Sequence, residues 1–228
     1  MAAPRVAFEV AAIRSGIDAA LNLPSHTGRR VGDAKYGVYA FFDYDGEPIY
    51  VGQTSERLRV RIRRHLTNQR TDAVAMNVLD PYEVADMEIW PLWDLEQRSG
   101  EDVTWRLNAA EYTVFQRAIA ASEYSAVLNE KDIAPSQAIE LPPSVRARIV
   151  PDEVWQLRSH PDTRIARRAA TIAALARVIS ERDVSRGLRR TLVTQARRLE
   201  HLARARAAEL GDEYPLEVPG EETGETSA

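Results

Sequence analysis

The sequence predicts an α+β fold: a β-hairpin and a third strand flanked by helices, with an Arg-rich helical hairpin towards the C-terminal end. Three observations predict it. Tyr36-Gly-Val-Tyr-Ala-Phe-Phe and Ile49-Tyr-Val-Gly are rich in aromatic and β-branched residues, and Asp43-Tyr-Asp-Gly-Glu-Pro between them has turn chemistry. Strand, Asp-Gly turn and strand make a hairpin signal. Segments 56–68 and 103–120 instead repeat apolar residues at helical spacing. Two further apolar stripes follow residue 163, with arginines on the remaining faces.

In chain order, residues 7–21 form a short amphipathic helix, and a Pro/Ser/Thr/Gly stretch carrying Arg29 and Arg30 follows it. After the hairpin, Leu58, Ile62 and Leu66 recur every four residues along the helix 56–68. Met87, Ile89 and Trp90 sit among acids in a third strand, 85–92. Leu107, Val114, Ala118 and Ile119 give helix 103–120 its apolar face. Pro142-Pro143 breaks the chain, and the domain boundary is placed there. Helices 163–180 and 183–210 carry the stripes Ile165, Ile172, Leu175, Ile179 and Leu188, Leu192, Leu199, Leu202. Their short junction suggests an antiparallel pair and lacks the Gly-containing turn of a helix-turn-helix. The expected organisation is an N-terminal helix and linker (1–35), a catalytic domain (36–143), a basic helical region (144–210) and an acidic, disordered tail (211–228).

Composition bounds the chemistry. The chain has no cysteine, which excludes disulfides, thiolate zinc sites and a cysteine nucleophile. Apolar residues make up 44 % of the 228, enough for a core. No basic start followed by an apolar run marks a signal peptide, and no stretch is apolar enough to span a bilayer. With the thiol-free composition this fits a cytoplasmic protein. The net charge of −4 conceals a polarity: −6 over residues 1–143, +8 over 144–210 and −6 over 211–228. A basic block beside an acidic tail points to a polyanionic partner. A second basic run, Arg57 to Arg70, holds six arginines and His65 with no acid.

The hairpin contains Gly37-Val38-Tyr39, ten intervening residues, and Tyr50-Val51-Gly52. Arg61 and His65 follow on the basic helix, Glu111 on the next long helix, and Asn129 after it. Either tripeptide alone carries no signal. Both on one hairpin, with Arg, His, Glu and Asn in order behind them, resemble the GIY-YIG nuclease superfamily over residues 36–129. The resemblance implies a small α+β domain with a three-stranded antiparallel sheet flanked by helices. It also implies hydrolysis of DNA phosphodiesters with one divalent cation, Mg²⁺ or Mn²⁺. By position it implies catalytic roles for Tyr39, Tyr50, Arg61, His65, Glu111 and Asn129, with Glu111 as metal ligand. Arg61 follows Gly52 by nine residues, one more than the family's usual step, so Arg57 and Arg59 stand as alternatives. Arg61 keeps the four-residue step to His65. The gap from Glu111 to Asn129 is long, and the proline often found before that asparagine is absent.

The residue types suit the chemistry on their own terms. Phosphodiester hydrolysis needs an activated water and neutralisation of the phosphoryl charge. A nearby cation can lower a tyrosine from its usual pKa of about 10, which would let Tyr39 help activate water. The arginine fork donates two hydrogen bonds to a phosphate, which suits Arg61. One carboxylate is a sparse shell, tolerable for Mg²⁺ because the ion keeps waters and takes phosphate oxygens. Glu111 lies on the apolar stripe of its helix, four residues from Leu107 and three from Val114, where a carboxylate needs a partner. Arg57, Arg61, His65 and Asn68 share one helix face.

Arg57, Arg59, Arg63 and Arg64 are the predicted DNA contacts, and double-stranded DNA is the predicted partner. Trp90, Trp93 and Trp105 are expected to pack in the core or between domains. His160 and His201 are expected at the surface, and His26 has no assigned role. The helical pair after 163 is either a packing or dimerising hairpin with a solvated arginine face, or an arm that grips DNA. A homodimer through these helices or the N-terminal helix is one possible assembly. The expected activity is that of a metal-dependent DNA endonuclease, in restriction or phage defence. Two alternatives stand beside it: a non-catalytic DNA- or partner-binding module on the same scaffold, and a subunit active only in a larger complex.

Overall fold

A computed structural model describes residues 7–67, 78–129 and 132–212. Asn68, Arg70 and residues 213–228 of the acidic tail lie outside the described residues. The elements are α1 (Phe8–Leu21), β1 (Gly37–Phe42), β2 (Pro48–Thr54), α2 (Leu58–Thr67), β3 (Asp86–Pro91), α3 (Glu101–Ala121), β4 (Val145–Arg148), α4 (Asp152–Ser159), α5 (Pro161–Glu181) and α6 (Arg186–Glu209). The fold is α+β. Its antiparallel sheet has the order β2-β1-β3-β4, with one strand more than the three expected.

The extra strand is β4, Val-Arg-Ala-Arg, only four residues long. Val145 and Ala147 turn towards the core, while the arginines face out. Arg146 lies over the Phe42 ring at 3.8 Å and pairs with Asp86 at 3.2 Å. Because β4 follows residue 143 and hydrogen-bonds to β3, the sheet runs across the position where Pro142-Pro143 suggested a boundary.

β1 lies inside the sheet and is buried along its whole length. Alternation along it feeds two cores. Tyr39 and Phe41 face α1, α2 and the C-terminal helices, together with Leu21, Leu58, Ile62, Leu175 and Leu188. Val38, Ala40 and Phe42 face α3, with Val103, Leu107, Ala110 and Val114. β2 is an edge strand, so helices on both sheet faces meet at its rim.

The C-terminal helices dock through a buried knot of ions. Asp43, 2 % exposed, caps the β1–β2 turn by accepting from the N–H groups of Asp45 at 2.9 Å and Glu47 at 3.1 Å. Its other oxygen accepts from Arg164 at 3.3 Å, Arg168 at 2.7 Å and Arg198 at 2.6 Å. Glu83 adds partners for Arg167 at 2.8 Å and Arg168 at 3.2 Å, and Asp45 one for Arg164 at 2.5 Å. The basic block is therefore not uniformly a solvated surface: Arg158, Arg164, Arg168 and Arg198 are buried. Trp90 and Trp93 pack inside as expected, whereas Trp105 is 46 % exposed. No described helix is long and apolar enough to cross a membrane.

Candidate active site

A cleft of about 390 Å³ opens at the rim of β2. Tyr50, Gly52 and Gln53 supply its strand side, Arg61 comes from α2, and Asn108 and Glu111 come from α3. Asn129 and Asp132 close the far side. Four of the six predicted catalytic residues thus line one cavity, although 79 residues separate Tyr50 from Asn129.

Tyr39 lies just behind this wall, fully buried, and its hydroxyl accepts a hydrogen bond from Arg61 Nε at 3.3 Å. Burial pushes the phenol up to about 12, although Arg61 pulls the other way. The expectation that a neighbouring cation lowers Tyr39 is therefore not met by Arg61 alone, because desolvation of the phenolate outweighs it. Of the three candidate arginines, Arg61 reaches both Tyr39 and the cleft. Arg59 is anchored on Leu21 O and Asn22 and pairs with Asp33. Arg57 is exposed.

Gly52 explains its own place in the hairpin motif. A Cβ there would sit 2.7 Å from the Tyr39 hydroxyl and 3.0 Å from the Tyr50 ring, so any side chain would displace the two tyrosines. Gly37 is similarly pressed: a Cβ would meet Leu58 at 2.7 Å and Trp90 O at 2.9 Å, where α2 and β3 close on β1.

Glu111 is part-buried, and burial lifts its carboxyl to about 7, against hydrogen bonds from the backbone and side chain of Gln53 and the charge of Arg61. A carboxylate so placed lacks a full counter-charge. Beside it, Gln53 Nε2 donates to Asn108 Oδ1 at 2.8 Å, and Gln53 Oε1 is buried with no hydrogen-bond partner among the described residues. Carboxylate and amide oxygens are the donors a hard divalent cation takes, so the residues fit one. The described residues contain no cluster of three His, Cys, Asp or Glu able to hold a metal, and Glu111 and Asp132 are the carboxylates that line the cleft.

His65 does not line the cleft. It is 1 % exposed among the rings of Tyr50 (5.2 Å), Tyr39 (5.8 Å) and Phe41 (6.3 Å). Burial, then Arg61 and Arg64, push its pKa down to about 3, and neither ring nitrogen has a hydrogen-bond partner among the described residues. Asn129 acts like an extra strand residue. Its Oδ1 accepts from Val51 N at 3.2 Å, and its Nδ2 donates to Val51 O at 2.7 Å. It thereby satisfies the edge of β2 between Tyr50 and Gly52.

Of the predicted DNA contacts, Arg63 pairs with Asp18 at 2.6 Å, Arg64 pairs with Glu56, and Arg59 pairs with Asp33 at 3.4 Å. Only Arg57 of the four has no ion pair among the described residues. Gln53, Asn108 and Asp132 are cleft residues that motif reading missed. For Gln53 a signal existed: strand alternation puts it on the same face as Val51, which packs against the helix that carries Glu111.

The fold and the site define an α+β domain with a polar cleft at the edge of its antiparallel sheet. Residues 35–96, from the hairpin to just beyond β3, match the model of the GIY-YIG catalytic domain. That segment, about a quarter of the chain, is similar to the GIY-YIG catalytic domain. The matched segment contains Tyr39, Tyr50, Arg61 and His65 but ends before Glu111 and Asn129. No curated protein and no solved structure matches the chain.

Proposed function

We propose that the protein is a divalent-metal-dependent endonuclease that hydrolyses phosphodiester bonds of double-stranded DNA in the β2 cleft. The observation that carries this reading is the convergence of Arg61 and Glu111, from helices on opposite faces of the sheet, on one cavity beside the Tyr39 hydroxyl.

Glu111 would hold Mg²⁺ or Mn²⁺, with Gln53 Oε1 as a neighbouring oxygen. When bound, the cation would neutralise developing charge on the phosphoryl oxygens and lower the pKa of a water. Arg61 uses Nε on Tyr39, which leaves its terminal nitrogens to donate to a phosphate in the cleft. Tyr39 would help activate the attacking water through Arg61, whose guanidinium its hydroxyl holds at the cleft. With its pKa near 12 the phenol is protonated at neutral pH, so on this chain's residues alone it positions groups and does not act as a standing phenolate. Tyr50 forms part of the cleft wall, His65 packs against the two tyrosine rings, and Asn129 fixes the edge of β2 beside Tyr50.

Plasmid nicking tests the reading. The wild type should nick DNA with Mg²⁺ and stop with EDTA, and Glu111→Ala should lose at least about 100-fold, the scale of one electrostatic catalytic group. Cleavage by Glu111→Ala at the wild-type rate would overturn the role of Glu111. Salt-dependent DNA binding without cleavage under any divalent metal would replace the enzyme by a binding module on the same scaffold.

A further inference from the structure

Helix α6 carries two sets of arginines. Arg198 points inward to Asp43, on the same side as Leu188, Thr191, Gln195 and Leu202. At 100° per residue, Arg186, Arg189, Arg190 and Arg197 fall together on the opposite, exposed side. No acid lies among them before Glu200. Among the described residues only Arg190 has a carboxylate partner, and that partner is Asp132 on the rim of the Glu111 cleft, at 2.6 Å. One residue on, Thr191 Oγ1 lies 3.5 Å from Asn129 O. The first turns of α6 therefore abut the cleft, and the exposed stripe leads away from it.

We propose that this stripe is a second wall of the DNA path, contacting backbone phosphates on their way into the Glu111 cleft. The inference rests on the nuclease reading and deepens it by assigning a substrate-binding surface outside the family segment. Arg198, with the buried Leu188 and Leu202, already secures the helix, so the fold does not need the outward arginines. The Arg190–Asp132 pair is exposed on both sides and weak, so a phosphate can take the place of the carboxylate at little cost. From Arg186 to Arg197 the stripe is ~16 Å long at ~1.5 Å per residue, the axial rise of about five base-pair steps. α2 offers less: three of its four arginines are tied to carboxylates.

The test is binding to a short DNA duplex in EDTA, where no cleavage occurs, across a range of salt. Each phosphate neutralised contributes about 0.9 to the slope of log K against log salt. The triple variant Arg186→Gln, Arg189→Gln, Arg197→Gln should lower that slope by about 2 to 3 and weaken binding at least tenfold, with its melting temperature unchanged. The corresponding Arg→Lys triple variant should keep the slope, because the effect counts charges. Arg14→Gln with Arg177→Gln should bind as the wild type does. A Gln variant with the wild-type slope would overturn the proposal while leaving the nuclease reading intact. A wild type that neither binds nor cuts duplex DNA would overturn both.

Discussion

One polar cluster sits at the β1–β2 turn and another at the rim of β2, and they are built on opposite principles. In the knot, Asp43 gathers Arg164, Arg168 and Arg198, and Glu83 and Asp45 share the load. Its carboxylates have partners in abundance, and the helical hairpin is fastened to the β1–β2 turn. In the cleft and directly behind its wall, burial acts without full compensation: Glu111 in the cleft is lifted to about 7, while behind it Tyr39 is lifted to about 12 and His65 falls to about 3. Paired charge secures a fold. Under-paired buried polar groups cost stability, and their clustering beside a cavity is what a binding or catalytic site requires.

The largest way to break this contrast is Asp43→Ala. It would leave three arginines facing one another in the interior and remove the cap of the hairpin turn. Loss of one partner of a buried ion pair costs about 3–5 kcal/mol, so the variant should unfold at far lower urea or fail to fold. A midpoint within about 1 kcal/mol of the wild type would show that the knot does not hold the hairpin.

His65 sharpens the other side of the comparison. The unfolded histidine takes a proton near pH 6.5, while the folded one resists to about 3. The neutral form is therefore favoured in the fold, and stability present above pH 6.5 is lost as pH falls. Between pH 6.5 and 5 this amounts to about 2 kcal/mol. His65→Leu should remove that part of the pH dependence in urea melts, and an unchanged profile would contradict it.

Gly52→Ala probes geometry. The added methyl collides with Tyr39, so overpacking should cost about 1–3 kcal/mol, and cleavage should fall more than stability explains. Cleavage at the wild-type rate would show that the position of Tyr39 does not matter. The smallest effect belongs to Arg63→Ala. Its pair with Asp18 is nearly half exposed on both sides, and its loss should shift stability by less than about 1 kcal/mol.

Much of this was legible in the sequence, and for identifiable reasons. The hairpin, α2, β3 and α3 announce themselves through alternation or a 3.6-residue period. Tyr50, Arg61, Glu111 and Asn129 were found from order along the chain, and the fold brings them to one cavity. β4 escaped because Val145 and Ala147 are too few apolar residues to show a period, and two prolines precede them. The direction of the C-terminal arginines escaped because charge counting does not show which acids they meet. Asp43 lies 121 to 155 residues before its three partners. Gln53 and Asp132 were hidden because an amide beside a motif and an acid in a loop look like any others.

The most direct measurement places the two clusters on one scale. Glu111→Gln keeps the shape of the side chain and removes the carboxylate that burial penalises. At pH 8 without metal, the variant should unfold at the same or higher urea concentration than the wild type, while cleavage of duplex DNA with Mg²⁺ falls at least about 100-fold. Retained cleavage, or a loss of stability like that of Asp43→Ala, would contradict the assignment of the β2 cleft as the catalytic site.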